Sequence, residues 1–200
     1  MKNESKILLL IGESAVGKDT ILKEILKENS NKKLKKAVSV TTRDMRSGEI
    51  NGIDYYFVDD ITFKKYKEND SFIEETSYNV NGKIWSYGFL KDEFLSDTNY
   101  IIIANPRGYK AFLNAYKEGK ITSKIVPIYL TCSELIRKER YMKRDEENKN
   151  ILSQWNARLI QDNLDFKNIL EELSLADECH IFDTAKVKTN EIAKEILGLL

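Results

Sequence analysis

Short apolar runs alternate along this chain with longer segments in which apolar residues recur every three or four positions. An uninterrupted apolar run predicts a strand that is buried on both faces, and such runs lie at residues 6–11, 37–40, 100–104, 125–130 and, more weakly, 180–182. The helical periodicity predicts helices at residues 18–28, 107–118, 133–143, 148–172 and 190–199. This alternation is typical of the α/β class, in which helices cover both faces of a parallel sheet.

One segment, residues 55–87, breaks the alternation because it is rich in tyrosine, phenylalanine and β-branched residues. Within it, Asn81-Gly82 separates two strand-like runs and is typical of a type I′ hairpin turn. A helix is also expected at residues 61–69, with Asp60 as its N-cap. The segment therefore predicts a small antiparallel insert beside the parallel core.

Composition and charge narrow the class of protein. The 200 residues include 32 basic and 32 acidic side chains, and this zero net charge argues against a general nucleic-acid binder. No apolar run is long enough to span a membrane, since the run at residues 7–11 has only five residues, and the polar N-terminus does not predict a signal peptide. Two distant cysteines, Cys132 and Cys179, indicate no disulfide framework. We expect a cytoplasmic, single-domain protein, monomeric or homodimeric, with no nucleic-acid or membrane partner.

The segment after the first predicted strand has the phosphate-loop pattern G-x4-G-K. Its residues are Gly12, Glu13, Ser14, Ala15, Val16, Gly17, Lys18, Asp19 and Thr20. Glycines let backbone N–H groups surround an anion, the next helix adds its dipole, and Lys18 can reach the terminal phosphates. Because a strand precedes the loop and a helix follows it, we predict a site for ATP and Mg²⁺ rather than an ordinary glycine turn.

The loop departs from the strict motif directly after Lys18. Serine or threonine normally stands there and ligates magnesium through its hydroxyl, whereas this chain has Asp19 followed by Thr20. We interpret Asp19 as an acidic residue favoured by the helix dipole in the first turn, and we assign the metal to Thr20. The alternative is that Asp19 assists the metal while Thr20 contacts phosphate.

A second anion site is indicated after the strand predicted at residues 37–40. Arg43 and Arg46 lie three positions apart, and Tyr55 follows nearby. Two guanidinium groups and a phenol hydroxyl would bind a second phosphate well. Phosphoryl transfer needs an anchored acceptor beside the nucleotide, so these residues are predicted to hold the acceptor phosphate.

Together the two motifs resemble the guanylate kinase family, whose members transfer the γ-phosphate of ATP to GMP. The most specific match is T-T-R-x-x-R-x-G-E-x-x-G-x-x-Y-x-F at residues 41–57, and the resemblance extends to the final helix. It implies a P-loop kinase fold with a parallel sheet core flanked by helices, a small mixed or antiparallel GMP-binding insert and a helical lid. On this basis we expect one domain, with the core at residues 1–40, 91–138 and 159–200, the insert at 41–90 and the lid at 139–158.

The resemblance also implies roles for individual residues. It assigns acceptor binding to Ser39, Arg43, Arg46, Tyr55, Glu74, Tyr87 and Asn105. Among these, Glu74 suits guanine because a carboxylate accepts hydrogen bonds from N1–H and the exocyclic amine together. It assigns catalysis to Lys18, Arg43, Arg140, Arg144 and Arg158, of which the last three match the lid arginines that close over the phosphates.

Three positions depart from the family pattern. The family's acidic pair, D-x-D, is replaced here by Ile103 and Asn105, and the hydroxyl residue after Tyr-Gly is replaced by Phe89. A carboxylate near magnesium and two guanine contacts are thereby changed or lost. We expect GMP to remain the preferred nucleotide, with a smaller margin over AMP.

Two other functions stay open from the sequence. Ribose 1,5-bisphosphate phosphokinases have G-K-D-[ST] in the phosphate loop and lack the acidic pair. This chain is similar in both respects, because Asp19-Thr20 follows Lys18 and Ile103 stands at the first acidic position. Guanylate-kinase-like binding modules are a further alternative, but these typically lose the loop glycines and lysine, and Gly12, Gly17 and Lys18 are all present.

Overall fold

The computed structural model describes residues 5–29, 34–80, 82–95, 98–144 and 146–200. Strands and helices alternate along most of the described chain, as the hydrophobic pattern predicts. In chain order the elements are β1 (Lys6–Ile11), α1 (Lys18–Glu28), β2 (Leu34–Lys36), β3 (Val40–Thr41), β4 (Tyr56–Phe57), α2 (Asp60–Glu68), β5 (Phe72–Val80), β6 (Lys83–Leu90), a 3-10 helix (Lys91–Leu95), β7 (Asn99–Ala104), α3 (Pro106–Lys117), β8 (Lys124–Thr131), α4 (Glu134–Met142), α5 (Ile151–Asp165), α6 (Ile169–Leu173), β9 (His180–Asp183) and α7 (Thr189–Leu197).

The core is a parallel sheet of five strands in the order β2-β7-β1-β8-β9. Strand β1 is central, so both of its faces are covered. Ile7, Leu9 and Ile11 pack with the α3 side, whereas Leu8 and Leu10 pack with the α1 and α7 side. Burial on both faces explains why β1 is an unbroken apolar run. The predicted α/β fold is confirmed.

The second sheet has four strands in the order β4-β3-β6-β5, and it is mixed because β3 pairs parallel with β4 and antiparallel with β6. The hairpin β5-β6 is antiparallel, with Tyr78 opposite Trp85. Asn81 of the predicted turn lies outside the described residues, while Gly82 has the positive φ of +84° that such a turn requires. A small apolar cluster of Val40, Phe63 and Phe72 joins this sheet to α2.

Three local predictions were wrong. The segment predicted as one strand at residues 37–40 crosses between the sheets, and the N–H of Val38 donates to Glu93 rather than to a strand. The cap of α2 is Asp59, whose carboxylate accepts from Thr62 N–H at 2.7 Å, and not Asp60. The helix predicted at residues 148–172 is two helices, because the chain turns at Phe166, whose ring stacks on Tyr129 at 6.4 Å. No helix in the described part of the chain is long and apolar enough to cross a membrane.

Candidate active site

The phosphate loop connects the end of β1 to the start of α1, in the context that the sequence predicts. Gly17 precedes the helix with a φ of +109°, a conformation that favours glycine. Gly12 passes so close to β8 that a Cβ there would meet the carbonyl oxygen of Leu130 at 2.6 Å. Both glycines are therefore needed for the shape of the loop.

Lys18 folds back over the loop that precedes it. Its ammonium donates to the carbonyl oxygens of Gly12 at 2.6 Å and Glu13 at 3.0 Å. Burial lowers the pKa of Lys18 to about 8, although the nearby carboxylates of Asp162 and Asp19 favour the charged form. The lysine thus stands at the loop with its charge only partly compensated, which suits a group that binds an anion.

Arg137 and Asp162 fasten the loop to the helices beside it, and sequence reasoning missed both. The Asp162 carboxylate accepts from the N–H of Ser14 at 2.8 Å and from its hydroxyl at 3.1 Å. Arg137 donates to Asp162 at 3.2 Å, to Glu13 at 3.1 Å and to the Ser14 carbonyl at 3.3 Å. Both side chains are buried, and no motif in the sequence marks them. We call this group, made of Arg137, Asp162, Glu13 and Ser14, the loop clamp.

A cavity of about 390 Å³ opens between the phosphate loop and the helices α4 and α5. Lys18, Arg144 and Arg158 line it, so three of the predicted catalytic residues are brought together. Arg140 is not among its lining residues. Its guanidinium instead donates to the Val16 carbonyl at 3.0 Å and to Thr184 at 2.9 Å.

Asp19 and Thr20 lie on different sides of α1. Asp19 lines the cavity that contains Lys18. Thr20 instead lines an adjoining hollow of about 400 Å³, together with Arg140 and Thr184, and the linings of the two share Gly17 and Arg144. Successive helical residues are about 100° apart around the axis, which explains the separation. Thr20 is therefore not among the residues that line the cavity of Lys18.

A second cavity, of about 600 Å³, lies between the two sheets. Five of the seven predicted acceptor residues line it: Ser39, Tyr55, Glu74, Tyr87 and Asn105. Arg158 lines this cavity as well as the first one, so the two adjoin. The sequence-predicted acceptor site is therefore assembled from elements of the core, the second sheet and α5.

Arg43 and Arg46 are not among the lining residues described for this cavity. Arg43 is buried and pairs with Glu49 at 2.6 Å, while its guanidinium lies 5.2 Å from the centre of the Tyr55 ring. The backbone N–H of Arg46 donates to the same carboxylate at 2.7 Å, and its side chain is exposed. Arg43 thus lies against the Tyr55 ring that lines the cavity, whereas the Arg46 side chain is exposed.

The polar end of the second cavity is formed by Glu74 and Asn105. Burial raises the pKa of Glu74, and the charge of Arg107 opposes that rise. Asn105 is the N-cap of α3, where its side-chain oxygen accepts from Gly108 N–H at 2.8 Å. That bond leaves the amide NH₂ of Asn105 as its donor toward a ligand, so the pair offers both an acceptor and a donor.

The apolar departures lie in the walls of the same cavity. Ile103 lies near the end of β7, opposite Leu10 in the parallel register, and is half-buried. The ring of Phe89 packs edge-on against Phe112 at 5.7 Å and Phe94 at 6.2 Å. These contacts extend the core into the cavity wall, where polar groups would otherwise face a ligand.

A glycine loop between a parallel strand and a helix, with a second sheet closing an adjoining cavity, defines a P-loop protein of the α/β class.

The guanylate kinase family model matches residues 4–93. A guanylate kinase of Mesomycoplasma hyopneumoniae (strain 7448) is 37% identical over 130 residues, which is 63% of this chain and 64% of that protein. One from Carboxydothermus hydrogenoformans is 27% identical over 98% of this chain and 96% of its own.

These matches support the resemblance to the guanylate kinase family that the sequence motifs indicate. The chain spans 64% of the length of the Mesomycoplasma relative. The crystal structure of guanylate kinase from Anaplasma phagocytophilum shares the fold, with a TM-score of 0.58 at 20% identity, over 98% of this chain and 84% of that one.

Proposed function

We propose that the protein transfers the γ-phosphoryl group of ATP to the phosphate of a nucleoside monophosphate, with GMP as the preferred acceptor. The observation that carries this proposal is the junction of the two cavities at Arg158. One cavity contains the phosphate loop and Lys18, and the other contains Glu74. A donor and an acceptor bound in adjoining cavities could meet at this junction.

In this reaction an oxygen of the acceptor phosphate forms a bond to the γ-phosphorus, and ADP leaves with the electrons of the broken bond. The protein contributes mostly position and charge to such a transfer. Lys18 would exchange its carbonyl partners for phosphate oxygens, while Arg144 and Arg158 offset the charge on the transferred group. Asp162 would keep the loop in place by holding Ser14.

The residues after Lys18 fit the Mg²⁺ ion that accompanies ATP. Asp19 and Thr20 both offer exposed oxygen donors, the ligand type that Mg²⁺ prefers. No group of three or more metal-ligating side chains lies together in the described part of the chain. Mg²⁺ usually keeps several waters and is bound through one or two carboxylates and the substrate phosphates. When bound, Mg²⁺ neutralises charge on the phosphates.

Acceptor recognition is assigned to the second cavity. The Glu74 carboxylate can accept from both guanine donors, and the Asn105 amide can donate to the base. The phosphate would lie at the Tyr55 and Tyr87 end of the cavity. Arg43 lies just behind the Tyr55 ring, so a rearrangement of its pair with Glu49 would bring it to that phosphate.

A coupled assay with ATP against GMP, dGMP, AMP, CMP, UMP and ribose 1,5-bisphosphate tests the proposal. We expect the highest kcat/KM with GMP. Replacing Lys18 with Ala should lower kcat on the order of 100-fold, as does loss of a group that stabilises transition-state charge. Activity on ribose 1,5-bisphosphate alone would replace the proposed acceptor, and an unchanged rate in Lys18→Ala would remove the loop from catalysis.

A further inference from the structure

Asp19 is a free carboxylate at the phosphate loop. It is exposed in the first turn of α1, and its side chain has no hydrogen bond or ion pair with another residue that the structure describes. It lines the 390 Å³ cavity with Lys18, Arg144 and Arg158, and it is the one carboxylate among the described residues in that lining. An unpaired negative charge therefore faces the place where ATP phosphates are proposed to bind.

The neighbouring carboxylates are already engaged. Glu13 and Asp162 both pair with the buried Arg137, at 3.1 and 3.2 Å. Their oxygens hold the loop clamp together and would have to leave it to bind an ion. Asp19 requires no such rearrangement.

Asp19 also faces the position where the family pattern has lost an acid. It borders a further hollow of about 420 Å³ that Ile103 and Ser39 line too. Ile103 occupies the first acidic place of the D-x-D pattern, next to the strand that leads into the phosphate loop. The chain thus offers a carboxylate from α1 beside the site where β7 no longer supplies one.

We propose that Asp19, and not Thr20, is the protein's ligand for the Mg²⁺ of bound ATP, and that its carboxylate takes over from both the loop hydroxyl and the missing acid at position 103. The assignment rests on the proposed use of ATP. Mg²⁺ is commonly held by one or two carboxylates together with phosphates and waters. Thr20 lines the other hollow and is not among the residues that line the Lys18 cavity.

The two possible roles of Asp19 predict different effects of Asp19→Asn. A metal ligand attracts the ion but repels metal-free ATP, so the substitution weakens metal binding and strengthens binding of the nucleotide alone. A residue that only favours the helix dipole acts on the stability of the fold and has no metal dependence. A fall in metal affinity together with a rise in the affinity for metal-free ATP therefore identifies a metal ligand.

The experiment measures Mn²⁺ binding, by electron paramagnetic resonance, to the complex of the full chain with a non-hydrolysable ATP analogue. In Asp19→Asn we expect the Mn²⁺ affinity to fall on the order of tenfold or more, comparable to other disturbed metal shells. Calorimetry with EDTA should show the metal-free analogue binding more tightly than to the wild type. Asp60→Asn is the matched control, because Asp60 is an exposed acid in the first turn of α2, and it should change neither affinity.

A second variant tests whether Asp19 takes the place of the missing acid at position 103. Adding Ile103→Asp to Asp19→Asn should restore much of the Mn²⁺ affinity, because it returns a carboxylate to the other side of the same hollow. Unchanged Mn²⁺ affinity in Asp19→Asn, or a parallel fall in both affinities, would overturn the assignment even if the wild type phosphorylates GMP. A wild type that binds Mn²⁺ through Asp19 but phosphorylates no nucleotide would overturn the proposed function instead.

Discussion

At the scale of single residues, burial tunes the groups that handle charge. Lys18 has its pKa lowered to about 8 from 10.5 because it is desolvated. In the unfolded chain the lysine keeps its proton up to its ordinary pKa, so between pH 8 and 10.5 the unfolded state binds more protons. Its contribution to the stability of the ligand-free protein therefore rises with pH across that window.

The same shift predicts that ATP binding is linked to protonation. Phosphates favour the ammonium form, so binding at pH 8.5 should take up as much as about one proton, and affinity should fall as the pH rises further. Calorimetry in buffers of different ionisation enthalpy measures this uptake. Lys18→Arg keeps a permanent charge and should bind ATP without taking up a proton. Equal uptake in both proteins would trace the proton to another group.

A second prediction at this scale concerns Glu74 and the choice of base. An amide offers one acceptor oxygen where the carboxylate offers two, so Glu74→Gln should lower kcat/KM for GMP. The loss of a charged hydrogen bond, roughly 1.5–3 kcal/mol, corresponds to about 10-fold or more. The value for AMP should change little. Glu75→Gln, on the neighbouring residue of β5, is the control. An unaltered GMP to AMP ratio would remove Glu74 from base recognition.

At the scale of elements, the loop clamp ties α4 and α5 to the phosphate loop. Its centre is Arg137, which is buried between two carboxylates and whose guanidinium also lies 5.7 Å from the Trp155 ring. Removing one partner of a buried ion pair leaves uncompensated charge. The clamp is therefore expected to decide both the stability of this region and the shape of the loop.

We predict that Arg137→Met lowers the free energy of unfolding by about 3–5 kcal/mol. Urea denaturation of the purified variant measures it. Lys138→Met, an exposed neighbour on α4, should lie within about 0.5 kcal/mol of the wild type. Arg137→Met/Asp162→Leu should recover part of the loss, since one of the two carboxylates left without their partner is then gone. A single variant as stable as its control would show that the clamp is dispensable.

At the scale of the whole molecule, a ligand in the second cavity would join separate parts of the fold. Its walls come from the central sheet, the second sheet, α3 and α5. A ligand that binds only the folded state at 100 times its Kd stabilises it by about 2.7 kcal/mol. For a domain of this size that is a rise in Tm of about 5–10 °C.

We therefore expect GMP at that concentration to raise the Tm by about 5–10 °C, and AMP at the same concentration to raise it less. Scanning calorimetry of the full chain measures both shifts, and Glu74→Gln should lose most of the difference. Ribose 5-phosphate, which lacks the base, serves as the control. Equal shifts for all three compounds would mean that the cavity binds the sugar phosphate without reading the base.

The features that have a local cause can be predicted from the sequence alone. The apolar run of β1, the glycines at 12 and 17 and the periodicity of α1 predict the phosphate loop, and the structure has these elements at the predicted bounds. Five of the residues that line the second cavity were also predicted, through the family resemblance: Ser39, Tyr55, Glu74, Tyr87 and Asn105. Such patterns are enough to predict these elements because a few adjacent residues determine whether a strand is buried or a turn has a positive φ.

Which side chains meet depends on the tertiary structure. Ser14 and Asp162 are 148 positions apart, so nothing near either one predicts their hydrogen bonds. The engagement of Arg140 with Thr184 likewise depends on how distant elements pack. The physical reason is that a sequence pattern specifies which face a residue occupies on its own element, whereas its partners are set by the element that packs against that face.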